Sequence, residues 1–395
     1  MLSATRIKEY AYALGFDLAR ITTAEALPET ERVIKERIAL GLMDGLPWFT
    51  AERATTSCQP DALLPGAQSI IALGMFYLTE QPADASDDAP RGRISRYAWG
   101  SDYHEVIKPK LQAFAQWLRA YARDELGAEA ETRLFVDTGR MVDRAVAQRA
   151  GLGWYGKNTN ILTKKWGSWI FLAEIVTNLS LQSDEAVKAN CGNCEICLHA
   201  CPTGALPAPY TLDNRRCISY LTIELRGSIP LELRPLMGNL IFGCDICQAV
   251  CPVNIIAEKR LDLRDNPGSR PIQIRPRAEF RPRAEVGSAP ELIPLLSLTE
   301  EQFRERFRHS PIKRAKRRGL LRNVCVALGN SGDQRAVPAL SAALHDAEPL
   351  VRGHAAWALG QLGGEQAQQS LEDALISESD EEVQNELRCA LGMLL

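Results

Sequence analysis

No stretch of this 395-residue sequence stays apolar for the roughly 20 residues that a membrane-crossing helix requires. The N-terminus, Met1-Leu-Ser-Ala-Thr-Arg-Ile-Lys-Glu-Tyr10, lacks the apolar centre of a secretion signal and reads as the start of an amphipathic helix. Neither sign of charge dominates, since 46 Lys and Arg stand against 49 Asp and Glu for a net charge of −3. These absences exclude a membrane-spanning protein and a globally basic nucleic-acid binder. A disulfide framework is missing too. The eleven cysteines are clustered, with metal-like spacing. Thiolate-bound iron needs reducing surroundings, so the expected setting is the cytoplasm, and nothing in the sequence asks for more than a monomer.

What the sequence has is Cys191-Gly-Asn-Cys194-Glu-Ile-Cys197-Leu-His-Ala-Cys201-Pro202. This is the spacing of a bacterial ferredoxin, in which three cysteines wrap one [4Fe–4S] cube and the fourth reaches a second. The second set follows as Cys244, Cys247 and Cys251-Pro252, but Ile241 stands where its first cysteine should be. Cys217 is the nearest replacement. The crossover rule then gives Cys191, Cys194, Cys197 and Cys251 to one cluster, and Cys201, Cys217, Cys244 and Cys247 to the other. Zinc favours two separated C-x-x-C pairs and fits this packed run poorly. Haem attachment fails because Leu198 follows Cys197, with His199 one residue late.

Around this segment the sequence predicts an α+β layer domain. Residues 1–50 read as helical, with an Ile7, Tyr10, Ala11, Leu14 stripe ended by Gly15 and a second helix from Pro28 to Gly41. Residues 69–78 read as a buried strand, 80–92 as an acidic surface loop, and 103–126 as a long amphipathic helix. Arg133-Leu-Phe-Val-Asp137-Thr-Gly139 reads as a strand ending in an acid and a turn, a helix follows through Ala150, and residues 166–179 read as another strand. We place a catalytic unit at 1–185, a two-cluster unit at 186–262, an Arg/Pro-rich connector at 263–310, and helical repeats at 311–395. The repeats show as Val326-Ala-Leu-Gly329, Trp357-Ala-Leu-Gly360 and Cys389-Ala-Leu-Gly392. The repeat entrance is basic, with Lys313, Arg314, Lys316, Arg317, Arg318 and Arg322 at the spacing of one exposed helix face. Such a face is either simply solvated or binds nucleic-acid phosphate.

Several near-matches carry less. Gly151-Leu-Gly153-Trp-Tyr-Gly156-Lys157-Asn158 follows a helix rather than a strand, and Asn158 stands where a phosphate loop needs Ser or Thr. These glycines instead allow close approach, either of packing neighbours or of a large flat ligand. Asp137-Thr-Gly139 occurs once, so the paired aspartates of a protease are absent. Asp137 either caps the following helix or is a general acid at a strand end. His104 reads as a packed or hydrogen-bonded histidine. Cys58, Cys325 and Cys389 read as plain buried thiols.

Taken together, the sequence resembles the epoxyqueuosine reductase family over nearly its whole length. The resemblance rests on Leu63-Leu-Pro-Gly66, Arg96-Tyr-Ala-Trp-Gly-Ser-Asp-Tyr-His104, Val136-Asp-Thr-Gly139, Arg144-Ala-Val-Ala147, Ala150–Thr159, Gly167-Ser-Trp169, the cysteine array, and Phe242–Gln248. It implies a nitroreductase-like core with HEAT-like repeats, which reduces epoxyqueuosine to queuosine at the wobble position of a tRNA anticodon stem-loop. It also implies base-off cobalamin beside the two [4Fe–4S] clusters, and an external flavodoxin- or ferredoxin-type electron donor. No D-x-H-x-x-G corrinoid motif is present, since Ile107 replaces its glycine. By their places in the family pattern, Asp137 is the proton donor, expected to be sheltered over the corrin. Asn158, Ile161, Ser219, Cys244 and Asp245 lie near the corrin. Val142, Asp143, Arg144, Lys313, Arg314, Arg317 and Arg318 meet the tRNA. Ser57-Cys-Gln59 departs from the family pattern before Pro60. Two other functions fit parts of the sequence: a cobalamin-dependent reductase of a small molecule, and a ferredoxin-type carrier that docks on a partner.

Overall fold

The computed structural model describes residues 2–80, 89–262 and 276–394. The expected acidic loop therefore falls largely outside the described residues at 81–88, as do Arg264, Asp265, Arg270 and Arg275 of the connector. Eight strands occur among the described residues: β1 (Leu18–Thr23), β2 (Ser69–Phe76), β3 (Arg93–Ile94), β4 (Thr132–Phe135), β5 (Trp154–Tyr155), β6 (Ile161–Leu162), β7 (Ile170–Thr177) and β8 (Leu240–Phe242). Four of them build an antiparallel sheet in the order β1-β2-β7-β4.

The apolar run of β2 is buried along its whole length, because it lies between two neighbours and is covered on both faces. Ile71 pairs with Ile21 on one side and Ile175 on the other. The helix Tyr103–Leu126 packs on this sheet through Ile107, Leu111, Phe114, Leu118 and Tyr121. Asp102 caps its start and Gly127, at φ 61°, ends it. The expectation that residues 1–50 are all helical is corrected by β1. That strand is six residues long and carries Arg20, Thr22 and Thr23, so its own pattern is weak. It is held by its pairing with β2.

A second core begins at Ile94 and Trp99. It continues through Ile218, Leu221 and Phe242, and runs without a break into the repeat helices. Arg322 and Asn323 join the two parts. The Arg322 guanidinium donates to the carbonyls of Leu221, Leu225 and Gly227, and Asn323 Nδ2 donates to those of Thr222 and Ile241. The repeat helices are Lys316–Ser331, Val337–Ala343, Pro349–Leu362, Glu365–Ser377 and Glu381–Gly392. Their shared Ala-Leu-Gly has a packing cause. A Cβ on Gly329 would lie 2.9 Å from Ala358 Cα, and one on Gly360 would lie 3.0 Å from Ala390 Cα. Each glycine thus receives the alanine of the next unit.

Two sequence expectations fail in the repeats. Cys389 is exposed, unlike the buried Cys58 and Cys325, because the helix Glu381–Gly392 buries Val383, Leu387 and Ala390 and leaves Cys389 off that face. The basic run is not one exposed face. It is split between the 3-10 turn Pro311–Ala315 and the helix beginning at Lys316, and Arg322 is completely buried. No helix among the described residues is long and apolar enough to cross a membrane.

Candidate functional site: two thiol sets and a held aspartate

The cysteine segment folds as two similar short elements, each a loop entering a single helical turn, at Ile196–His199 and Ile246–Ala249. Cys191, Cys194, Cys197 and Cys251 line one cavity, together with Pro252, Gly156, Lys157 and Asn158. The other four form a separate group. Burial, then the charges of Cys217, Asp245 and Cys201, push the Cys244 thiol up to about 12 against the help of the Ile246 N–H. Burial, then Cys244 and Cys217, also raises Cys247 well above the usual thiol range. Thiols so costly to ionise together become thiolates when a metal centre balances their charge. Cys217 reaches this group from the turn that opens the helix Ile218–Ile223. Ile241 cannot contribute, since it is a fully buried core residue of β8.

Asp137 follows β4 in a turn closed by Thr138 N–H to Val136 O, with φ 52°. A positive φ at a non-glycine residue costs about 1 kcal/mol or more and persists only where its surroundings hold it. Here the Tyr103 hydroxyl donates to Asp137 Oδ2, and His104 Nε2 lies 3.8 Å from the same oxygen. His104 Nδ1 is 2.9 Å from Asp102 Oδ1, while Lys313 Nζ is 3.2 Å from Asp102 Oδ2. Burial opposes the Asp102 charge, but hydrogen bonds from the His104 ring, the His104 N–H and Lys313 outweigh it and hold its carboxyl at about 2. Burial, then the charge of Asp137, pushes the Tyr103 phenol far above its usual range, so Tyr103 stays a donor. Its ring is stacked between His104 and Phe171, at 4.2 and 4.3 Å.

Both parts of the Asp137 expectation need correction. Asp137 does not cap the next helix, because that helix begins at Asp143 after Val142, which has no capping side chain. Nor is it sheltered: its side chain is 60% exposed, because the turn projects it outward and the protein touches only one edge of its carboxyl.

The other site residues fall as follows. Asn158 is buried, and its Nδ2 donates to Cys247 O over 3.1 Å, tying the loop between β5 and β6 to the second thiol group. Ile161 is buried in β6, and Ser219 is partly exposed beside Cys217. The Asp245 carboxylate is buried and accepts from Ser95 Oγ at 2.5 Å and Arg96 N at 2.6 Å. Tyr97 lies between the two regions, its ring 6.2 Å from Tyr103 and 6.1 Å from Phe242. Gly151 and Gly153 admit packing neighbours. Their Cβ atoms would meet Glu185 O at 2.0 Å and Leu162 O at 2.3 Å.

The expected tRNA-facing residues are divided. Arg144 is exposed, but Asp143 turns inward and its carboxyl meets that of Glu174. Arg317 is committed to Asp346 and to Leu298 O, with only 15% of its side chain exposed. Lys313 pairs with Asp102 and Glu105, and Arg314 with Glu224. Arg318 stands 3.8 Å from Glu348 and is 39% exposed. Tyr103 and Glu174 join the site without being among the residues expected there from sequence. Tyr103 lies between Asp102 and His104 in the stretch Arg96–His104. Glu174 is a lone acid within Ile170-Phe-Leu-Ala-Glu-Ile-Val-Thr177, and a charge inside a buried strand was itself a signal.

Two thiol groups at ferredoxin spacing, with a held aspartate in the same chain, point to the class of iron–sulfur oxidoreductases. The comparisons agree with this class and narrow it. Residues 58–138 match the family pattern "Epoxyqueuosine reductase QueG, DUF1730", 190–254 match the 4Fe-4S double cluster binding domain, and 313–392 match HEAT repeats. The chain is 36% identical to the epoxyqueuosine reductase of Bacillus subtilis over 98% of its own length and 94% of that protein. It is 38% identical to that of Escherichia coli over 91% and 89%. A solved epoxyqueuosine reductase carrying a tRNA-Tyr epoxyqueuosine-modified stem loop superposes with a TM-score of 0.88 at 35% identity, covering 99% of this chain and 98% of that one. Another, from Bacillus subtilis, has its catalytic aspartate loop swung out of the active site (TM-score 0.87, 34% identity, 99% and 98% coverage). The chain belongs to the epoxyqueuosine reductase family.

Proposed function

We propose that this protein reduces epoxyqueuosine to queuosine in tRNA, and that Asp137 gives the proton that neutralises the oxygen released when the epoxide opens. The observation that carries the reading is Asp137 held at φ 52° by Tyr103, beside His104, in a chain with two thiol sets. Two [4Fe–4S] clusters follow from the double-cluster segment. In our reading, Cys191, Cys194, Cys197 and Cys251 hold one, while Cys201, Cys217, Cys244 and Cys247 hold the other. The first set rims a surface cavity and receives electrons from an external flavodoxin- or ferredoxin-type carrier.

The site also fits base-off cobalamin. Trp154 Nε1 is a buried donor, and His104 Nε2, opposite the Nδ1–H that Asp102 accepts, is a buried acceptor; neither has a hydrogen-bond partner among the described residues, as the polar rim of a corrin would require, and Ile161 offers apolar surface. Asn158, Ile161, Ser219, Cys244 and Asp245 would hold it. When bound, it supplies low-valent cobalt as the reductant of the epoxide carbon. Tyr103 and His104 orient the Asp137 carboxyl. Closure of the Asp137 turn over bound substrate would remove it from water, in keeping with the loop that swings in the Bacillus subtilis relative. The exposed Arg144 and Arg318 would meet tRNA phosphates. The protein would act as a cytoplasmic monomer.

Replacing Asp137 with Ala should abolish turnover of epoxyqueuosine-containing tRNA while leaving cluster content and the corrinoid spectrum intact. Retained turnover would remove Asp137 from the proton-donor role. A corrinoid band in the wild type without any tRNA turnover would favour a small-molecule reductase instead.

A further inference from the structure

Reduction of an epoxide to an alkene and water consumes two electrons and two protons. The clusters relay the electrons, but a single Asp137 carries only one proton. The molecule has a second acid close by. Glu174 lies on β7, paired with Ala72 of β2 and Phe135 of β4, and it is completely buried. Among the described residues, neither of its carboxylate oxygens has a hydrogen-bond donor facing it. The polar side chain against it is the carboxyl of Asp143, at the start of the helix Asp143–Arg149. Two carboxylates cannot hydrogen-bond to each other. They can when a proton lies between them, and an unpaired buried carboxylate would cost several kcal/mol.

The surroundings favour that proton. The strands flanking Glu174 bring only Ala72 and Phe135 opposite it, and neither titrates. The charges that reach the pair are Asp137, which repels a further negative charge on both members, and Arg144, which acts on Asp143 alone. Burial first, then Asp137, pushes Asp143 up to about 7, and burial, then Asp143, raises Glu174 well above the usual carboxylate range. Because Asp143 is the less buried of the two, the pair exchanges with the outside through it.

We propose that Asp143 and Glu174 form a proton-holding carboxyl pair that recharges Asp137 within the catalytic cycle. This rests on the reading of Asp137 as the acid. In the first transfer the Asp137 O–H bond breaks and an O–H bond forms on the opened epoxide oxygen. The Asp143 O–H bond then breaks, directly or through one water, and an O–H bond forms on Asp137. Asp137 gives this second proton to the departing hydroxyl, which leaves as water. The pair keeps one shared proton and regains the other from solvent. The electrons are those of the reduction itself, so no further reductant is required.

The pair has a signature that does not depend on turnover. Infrared spectra of the cluster-loaded protein, recorded without tRNA between pH 5 and 8, should show a protonated-carboxyl C=O band that titrates near pH 7. Asp143→Asn and Glu174→Gln should each remove or shift it. In the wild type, kcat should be flat below pH 7 and fall about tenfold per unit above it. Asp143→Asn should lower kcat on the order of 100-fold and abolish that fall, while Asp143→Glu should restore both. Absence of a titrating band would overturn the pair, as would an unchanged pH profile in Asp143→Asn. Should Glu174→Gln not fold, the Asp143 variants decide alone. Turnover that survives loss of Asp137 would instead sink the donor reading and leave the infrared result standing.

Discussion

Asp102 shows how a single residue serves the site without touching substrate. It caps the helix Tyr103–Leu126, fixes the His104 ring, and takes Lys313 from the mouth of the repeats. Its carboxyl is held at about 2, below the value near 4 of an unfolded chain. A group depressed in the folded state stabilises above its unfolded pKa, and that support is lost as pH falls toward the folded value. Asp102→Asn should therefore lower the melting temperature at neutral pH and flatten its decline between about pH 4 and pH 2, as thermal melts against pH would show. An unchanged acid slope would mean that Asp102 carries no such linkage. Asp143 has the opposite sign. Its stabilising share is present below about pH 4 and is lost as pH rises toward 7.

At the scale of elements, the repeats make two separable claims. Gly360 receives Ala390, so Gly360→Val should overpack the interface and cost about 1–3 kcal/mol in chemical denaturation. Gly392 has nothing within 4 Å and should tolerate the same change. Arg317 and Arg318 are neighbours in sequence with different duties. Arg317→Ala breaks a largely buried pair with Asp346 and should destabilise by about 3 kcal/mol. Arg318→Glu should leave stability nearly intact, weaken tRNA binding, and reduce its salt dependence. Equal effects from the two would remove the distinction. The sequence alone could not draw it. Basic spacing is visible in a sequence, whereas the acids that neutralise it, Asp346, Glu224 and Glu105, lie 29, 90 and 208 residues away. The same limit hid β1, whose pairing is tertiary. The apolar run of β2, the Tyr103–Leu126 helix and the Ala-Leu-Gly repeats were legible because each announces itself by local pattern.

Across the whole molecule, the cysteine segment is both the electron path and a structural joint. The second core passes from Ile218, Leu221 and Phe242 into the repeat helices, so the second thiol group is carried on the element that also anchors the repeats. Cysteine spacing disclosed the two sets, because cuboidal clusters impose it. It could not disclose the Tyr103–Asp137–His104 contact or the Asp143–Glu174 pair, which unite strands and helices distant in sequence. The most direct test is to reconstitute the protein anaerobically with iron, sulfide and cobalamin, reduce it, and follow the wobble nucleoside of epoxyqueuosine-containing tRNA by mass spectrometry. The account predicts conversion to queuosine with loss of one oxygen. Unchanged epoxyqueuosine, in protein with both clusters and a corrinoid band in place, would contradict it.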